Sequence, residues 1–353
     1  MNDVIKPAVR ALRAYTLAPH RASIKLNQNE NPWDAPARIK EEVLRRFAAR
    51  NWSRYPDFIP ASLHEQLARF AGWKPDGIIA GNGSNELIQA VLMVTMGAGK
   101  RVLISEPTFM LYRQVATVLD GEVETVSLTP DLKYDSEALL KTIETRQPDV
   151  IIICSPNNPT GCVIDETTLR SMSTASHGIV VIDEAYHEFA GRSVVPLLNE
   201  HDNLVVLRTF SKAMAYAALR VGYLLAAPDV VREIGKAVLP YNLNVFSQIA
   251  AEVAMENYES ELRPLVKQIV SERDRLFDEL SRIDGLAPVE SEANFIVVKS
   301  ATDPTRIFAD LLQHDILIRD VSGYPMLREY FRFSVGTPEE NDHLLKSIRE
   351  ICG

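Results

Sequence analysis

Four short segments combine residue types that do chemistry, and each sits beside an apolar run. In TFSKAMAYAALR, residues 209–220, Lys212 follows the hydroxyl residues Thr209 and Ser211, and Arg220 comes eight residues later. Such a lysine can form an imine with a carbonyl compound. In DEAY, residues 183–186, Asp183 ends the run GIVVI, and a carboxylate at a buried strand end must be hydrogen-bonded or paired with a cation. In SPNNPTG, residues 155–161, two prolines restrain the backbone and Asn158 offers both a donor and an acceptor. In GNGSNE, residues 81–86, Gly83, Ser84 and Asn85 precede the amphipathic run LIQAVLMV, so a helix N-terminus with free N–H groups is expected to face an anion. Glu86 stands where a GxGxxG dinucleotide fingerprint would need its third glycine.

Each segment also has a plain structural account: a surface lysine, an aspartate N-cap, an Asn/Pro turn and a capped helix. Together they supply an imine-forming lysine, a carboxylate able to pair with a protonated ring nitrogen, and two phosphate-binding elements. These are the parts that a pyridoxal phosphate site requires.

The elements that would position them follow from periodicity. Near-continuous Val/Ile/Leu runs at residues 101–105, 149–154, 178–183, 204–208 and 221–227 suit strands buried on both faces of a largely parallel sheet. Helical patterns alternate with them. Residues 38–50 place Ile39, Val43, Leu44 and Phe47 on one stripe, and residues 62–71 open with Ser62 and Glu65 as a capping box and end at Gly72. The alternation predicts an α/β fold with its site at the carboxyl ends of the strands. Beyond residue 244 the texture changes to a long helical stretch, residues 244–283, broken at Pro264, and then short strands at 294–299, 316–319 and 331–335. This predicts a smaller α+β part.

The chain has 353 residues, or about two domains at roughly 150 residues each. Its formal net charge is -9, with no Lys/Arg-rich tract, which argues against nucleic acid as a partner. Anionic small molecules must then be held by a few placed cations and backbone N–H groups. Cys154, Cys162 and Cys352 form no CxxC pair and no Cys/His cluster, so neither a disulfide scaffold nor a metal site is expected. No apolar run reaches membrane-span length and the N-terminus lacks a signal-type core, so the expectation is a cytoplasmic protein with no membrane partner.

The ordered series LNQNENPW (26–33), YPDF (55–58), GNGSNELI (81–88), EPTFMLY (106–112), SPNNPTG, IDEAYHEF (182–189), FSKAMAYAALRVGY (210–223), SEANFIVV (291–298), LIRDVSGYP (317–325) and FRFSVGT (331–337) spans nearly the whole chain. It resembles the fold type I pyridoxal-phosphate aminotransferases and, within them, the histidinol-phosphate aminotransferases of class II. The resemblance implies a large domain with a mostly parallel sheet, at residues 41–243. It also implies a small C-terminal domain at 244–353 and an N-terminal arm at 1–40 that packs with it. Lys212 would carry the cofactor and move the substrate proton, and Asp183 would keep the pyridine nitrogen protonated. Asn158 and Tyr186 would meet the cofactor's phenolic oxygen, and Phe109 would stack on its ring. Gly83, Ser84, Asn85, Thr209, Ser211 and Arg220 would hold its phosphate. Tyr55 would reach the phosphate of a second subunit, implying a homodimer with shared sites.

For substrates, Arg332 resembles the arginine that binds the α-carboxylate of glutamate, and Arg319 the one that binds a substrate phosphate. The alternative for Arg319 is an ion pair with Asp320. Tyr15 and Asn31 would close over the substrate. The implied reaction transfers an amino group from L-histidinol phosphate to 2-oxoglutarate in histidine biosynthesis. Threonine-phosphate decarboxylation of cobalamin synthesis and a broad aromatic aminotransferase are the neighbouring possibilities, and a silent regulator is disfavoured by the presence of Lys212. One departure stands out: Ala218 replaces the glycine of the FGLAGLR pattern common in such proteins.

Overall fold

A computed structural model describes residues 4–12 and 19–352. Its central sheet has seven strands in the order Ile78–Gly81, Gly222–Ala226, Leu204–Thr209, Ile179–Asp183, Val150–Cys154, Arg101–Glu106 and Glu122–Ser127. Every neighbouring pair is parallel except at Gly222–Ala226, which runs antiparallel to both its neighbours. All five expected apolar strands are present. Alternate residues feed opposite faces: Ile151, Ile153, Val180 and Ile182 join one core, while Val150, Ile152, Val181 and Val205 join another. Burial on both sides is why these strands read as unbroken Val/Ile/Leu runs, and each such side chain contributes about 1.5–3 kcal/mol.

Two strands of this central sheet have no counterpart among the expected ones, and both lie at its edges. Glu122–Ser127 has only Val126 buried, so it carries no continuous apolar run. Ile78–Gly81 is four residues long.

The helix Ala37–Ala48 buries Ile39 and Val43, but Leu44 on the expected stripe is 57% exposed. The expected capping box at Ser62 and Glu65 does not form. The helix Ala61–Ala71 starts directly after Pro60 with no side-chain cap, and Ser62 is already inside it. Its end is as expected, with Gly72 at φ +72°. The long helical stretch is interrupted before its proline. It comprises Val245–Glu256, a π-helical turn at Tyr258–Leu262, and Arg263–Leu280. Pro264 therefore lies in the first turn of a helix, where its missing N–H leaves no bond unmade.

The C-terminal part has an antiparallel sheet in the order Arg319–Asp320, Tyr330–Ser334, Phe295–Ser300 and Leu286–Pro288. The single strand expected at 316–319 is two. Ile316–Leu317 pairs in parallel with Ile24–Lys25, and after Ile318 the chain turns Arg319–Asp320 onto Tyr330–Ser334. The segment at Ile24–Lys25 is thereby tied to the C-terminal part. Phe295, Ile296, Phe331 and Phe333 form that part's core with Ile269, Leu276 and Ile348. Helix Val245–Glu256 instead shares the large part's core, its Ile249, Ala250 and Val253 packing in the cluster that holds Ile39, Val43, Leu63 and Leu67. Among the described residues no helix is long and apolar enough to cross a membrane.

Candidate active site

Parallel strands share a direction, so the residues that follow them converge on one edge of the sheet. Asp183 ends Ile179–Asp183, Thr209 ends Leu204–Thr209, and the SPNNPTG loop follows Cys154. The antiparallel strand brings its start to the same edge, because Gly222 lies opposite both Thr209 and Gly81. Arg220 is thus carried to the end of the strand that leads into the GNGSNE segment. A cavity of about 290 Å³ opens there.

One end of the cavity is a cradle of small groups. Helix Ser84–Thr95 begins after Gly83, whose φ of +81° and ψ of 161° suit only glycine, and no side chain caps its first N–H groups. A Cβ on Gly83 would run into the Arg220 guanidinium, and one on Gly222 would run into the backbone of Gly83 and Ser84. Glu86 accepts the Asn82 N–H at 2.6 Å, which accounts for an acid where a dinucleotide fingerprint has glycine. Arg220 donates to Ser211 Oγ at 3.2 Å and to the Ala217 carbonyl at 3.0 Å. Thr209 Oγ1 is 3.0 Å from Ser211 Oγ. Ala218 is exposed beside this turn, in the 3-10 segment Ala217–Leu219, so its methyl group meets no crowding.

The middle of the cavity holds Lys212 and Asp183. Lys212 Nζ donates to the Gln28 carbonyl at 2.9 Å and lies 5.8 Å from the centre of the Tyr186 ring. Burial, then the Arg332 and Arg220 charges, push its ammonium down to about 8, against Glu30 and Asp183. Asp183 is 3% exposed. Its Oδ2 accepts from Tyr112 OH at 2.7 Å and its Oδ1 from the Ala185 N–H at 3.1 Å. Burial pushes its carboxyl up to about 6, opposed mainly by the Tyr112 hydroxyl. The Tyr186 hydroxyl accepts from Asn29 Nδ2 at 3.0 Å, its ring stands edge-on to Phe295 with centres 5.2 Å apart, and burial raises its phenol. Phe109 lines the wall, edge-on to Tyr112 with ring centres 5.6 Å apart.

At the other end, Arg332 is 6% exposed. It donates to Asn158 Oδ1 at 2.5 Å and to the Asn27 carbonyl at 3.1 Å, and its guanidinium lies 5.2 Å from the Phe295 ring centre. Arg319 lies directly opposite Arg332 in the strand pairing. It is half-buried and lines the cavity. The expected alternative of an ion pair with Asp320 does not form, since Asp320 Oδ1 accepts the Ser322 N–H and Arg319 has no salt bridge within 4 Å among the described residues. Lys212, Arg220, Arg319 and Arg332 face a single lining acid, Asp183. A chain of net charge -9 thus encloses a pocket rich in cations.

These residues fit pyridoxal phosphate. The cradle that a Cβ would fill suits a phosphate, Asp183 is a buried carboxylate with no ion pair among the described residues, and Lys212 is a desolvated amine close to both.

Two sequence-derived candidates lie away from this cavity and one cannot be placed. Tyr55 is 81% exposed and stacks on Tyr241 at 4.6 Å. Asn31 does not line the cavity. It donates to the Ala213 carbonyl at 3.2 Å, accepts the Trp33 N–H, and borders a neighbouring depression. Asn27, Gln28 and Asn29 of the same segment reach the cavity in its place. Tyr15 lies outside the described residues. Tyr112 and Tyr324 also line the cavity and were not singled out. Tyr112 could have been, because it lies within EPTFMLY, three residues after Phe109.

Residues 21–348 match the family model "Aminotransferase class I and II". A histidinol-phosphate aminotransferase of Carboxydothermus hydrogenoformans is 43% identical over 98% of each chain, and one of Chlorobium phaeobacteroides is 38% identical over 100% of this chain and 98% of its own. Among solved structures, the histidinol-phosphate aminotransferase of Sinorhizobium meliloti in complex with pyridoxal-5'-phosphate superposes with a TM-score of 0.87, at 25% identity over 98% of this chain and 96% of that one. The L-threonine-O-3-phosphate decarboxylase of Porphyromonas gingivalis has a TM-score of 0.80 at 21% identity, covering 93% of this chain and 99% of that one, a likeness of fold alone.

Proposed function

The chain belongs to the class I and II aminotransferase family, and we propose that it uses pyridoxal phosphate to transfer an amino group from L-histidinol phosphate to 2-oxoglutarate, giving imidazole acetol phosphate and L-glutamate in histidine biosynthesis. The observation that carries this reading is the cross-strand pair of Arg319 and Arg332 in one cavity. Histidinol phosphate has a phosphate and no carboxylate, whereas 2-oxoglutarate has carboxylates and no phosphate. Two guanidinium groups on neighbouring strands give each half-reaction its own anion site.

When bound, the cofactor supplies an aldehyde that takes up the donor's amino group and a protonated ring that draws electrons from the substrate carbon. Ser84, Asn85, Thr209, Ser211 and Arg220 hold its phosphate, with Gly83 leaving room for the backbone. Asp183 keeps a proton on the ring nitrogen, and Asn158 with Tyr186 hydrogen-bonds the phenolic oxygen. Phe109 packs against the ring face. Lys212 moves the proton at the substrate carbon. An amine held at about 8 is partly unprotonated near neutrality, as a general base must be. Arg332 is pre-oriented by Asn158 and Asn27, so little rotamer entropy remains to be lost on binding a carboxylate. Arg319 has no such tether and takes the phosphate. Tyr15 and Asn31 belong to the segments that flank the substrate.

The same reading divides the chain into an N-terminal arm to about residue 40, a large cofactor-binding part and a small C-terminal part. Helix Val245–Glu256 goes with the large part because its buried face shares that core. It also makes the protein a homodimer in the cytoplasm. Tyr55, Phe58 and Tyr241 form an exposed aromatic cluster, which a second copy covers while Tyr55 reaches the partner's phosphate.

The test is turnover by the cofactor-loaded protein. Histidinol phosphate with 2-oxoglutarate is expected to yield glutamate and imidazole acetol phosphate in equal amounts. Carbon dioxide release from threonine phosphate with no glutamate formed would overturn the assignment.

A further inference from the structure

We propose that the Tyr112 hydroxyl is a positioning group that holds the Asp183 carboxylate charged and in one orientation for the cofactor's ring nitrogen. The inference rests on the assignment of Asp183 as the partner of that nitrogen.

The geometry is specific. Each oxygen of Asp183 takes one donor, Oδ2 from Tyr112 OH at 2.7 Å and Oδ1 from the Ala185 N–H at 3.1 Å. Two donors on two oxygens fix the plane of the carboxylate. The Tyr112 bond has the length of an O–H···O⁻ contact, which favours the ionised form. Nothing else near Asp183 does this strongly. Cys154 lies opposite it in the sheet, Glu184 follows it, and the phenols of Tyr134 and Tyr186 and the amine of Lys212 complete its titratable neighbours. Of these only Lys212 is cationic, and it would be engaged by the cofactor. With burial pushing the carboxyl up to about 6, the hydroxyl is the main opposing influence.

Tyr112 is suited to remain a donor. It is fully buried, and its phenol is pushed well above its ordinary value, first by burial and then by Asp183. A hydrocarbon ring would fill the same space, so packing does not explain the hydroxyl, whereas a buried tyrosine hydroxyl needs a partner and here has one. The ring also stands edge-on to Phe109. The residue expected at the ring face and the carboxylate expected at the ring nitrogen are thus seated on one side chain, at the start of helix Leu111–Val118.

Tyr112→Phe removes the hydroxyl and keeps the ring. The experiment measures the dissociation constant of pyridoxal phosphate from wild-type and variant apoproteins between pH 5 and 9, with the urea stability of both apoproteins alongside. The expected result is binding about tenfold weaker at pH 5 and about twofold weaker at pH 7. The acid-side midpoint of binding should move up by about one pH unit, and the gap should narrow toward pH 9. Equal affinities throughout, or a loss of the same size at every pH, would overturn the proposal. So would a variant that does not fold at pH 5, where Asp183 is largely protonated in both proteins, because the hydroxyl would then be structural. A wild-type protein that binds no pyridoxal phosphate sinks the functional assignment. A wild-type protein that binds it, with a variant that matches it, sinks this inference alone.

Discussion

Replacing Arg319 by leucine separates the two anion sites. Arg319 is half-buried, lines the cavity and makes no ion pair among the described residues, so the substitution breaks no such contact. Stability should change by less than about 0.5 kcal/mol. What is lost is a charge-assisted contact to substrate, worth about 2–3 kcal/mol, or roughly 30- to 150-fold in kcat/KM. The loss should fall on donors that carry a phosphate. Turnover of histidinol phosphate is expected to drop by that factor, while turnover of an unphosphorylated aromatic amino acid, whose single carboxylate is held by Arg332, changes by less than about threefold. The assay is steady-state kinetics with both donors, plus urea denaturation as a control. Equal losses on the two would refute the division of labour. Arg332→Leu makes the contrast, because it also strands Asn158 Oδ1 and the buried Asn27 carbonyl. It should cost about 1–3 kcal/mol of stability in addition to activity.

Other outcomes follow from the same geometry. Lys212→Ala should lower turnover by at least about 10²- to 10⁴-fold with the fold intact by circular dichroism, and wild-type turnover would remove the mechanism. Only the free amine of Lys212 can attack an aldehyde, so the rate at which apoprotein captures pyridoxal phosphate should rise with pH and level off above about 8; a flat profile from pH 6 to 9 would contradict the assigned amine. Gly83→Ala puts a methyl group into the Arg220 guanidinium at a backbone angle of φ +81°, and calorimetry should show phosphate-bearing cofactor bound roughly tenfold or more weakly. Arg208 and Glu184 form an ion pair at 2.9 Å with both side chains at most 5% exposed, so Arg208→Met should cost about 3–5 kcal/mol in urea unfolding, and a loss under 1 kcal/mol would show that Glu184 finds another partner.

Much of the fold and site was legible in the residues themselves. Strands buried on both faces must be apolar throughout, so 149–154, 178–183 and 204–208 announce themselves. Parallel strands end at one edge, so the polar residues that follow them, Asn158, Asp183, Lys212 and Arg220, could be assigned to one crevice. Gly72 closes its helix as a glycine at positive φ should. The edge strand Glu122–Ser127 was not legible, because an edge carries no burial requirement on both faces. Nor was the start of Ala61–Ala71, where Pro60 replaces the expected side-chain cap.

What only the tertiary structure decided is which group meets which. Tyr112 and Asp183 are 71 residues apart, and Asn29 and Tyr186 are 157 apart. No local pattern links them. Arg319 faces Arg332 because the turn at Ile318 takes the chain from one sheet to another, and a shift of one residue would send a side chain to the opposite face. Residue type and spacing depend on the nearest few neighbours, so they are carried by the chain. The direction of a side chain, and hence its partner and its charge state, depends on how distant elements pack, so it is settled only once they have done so.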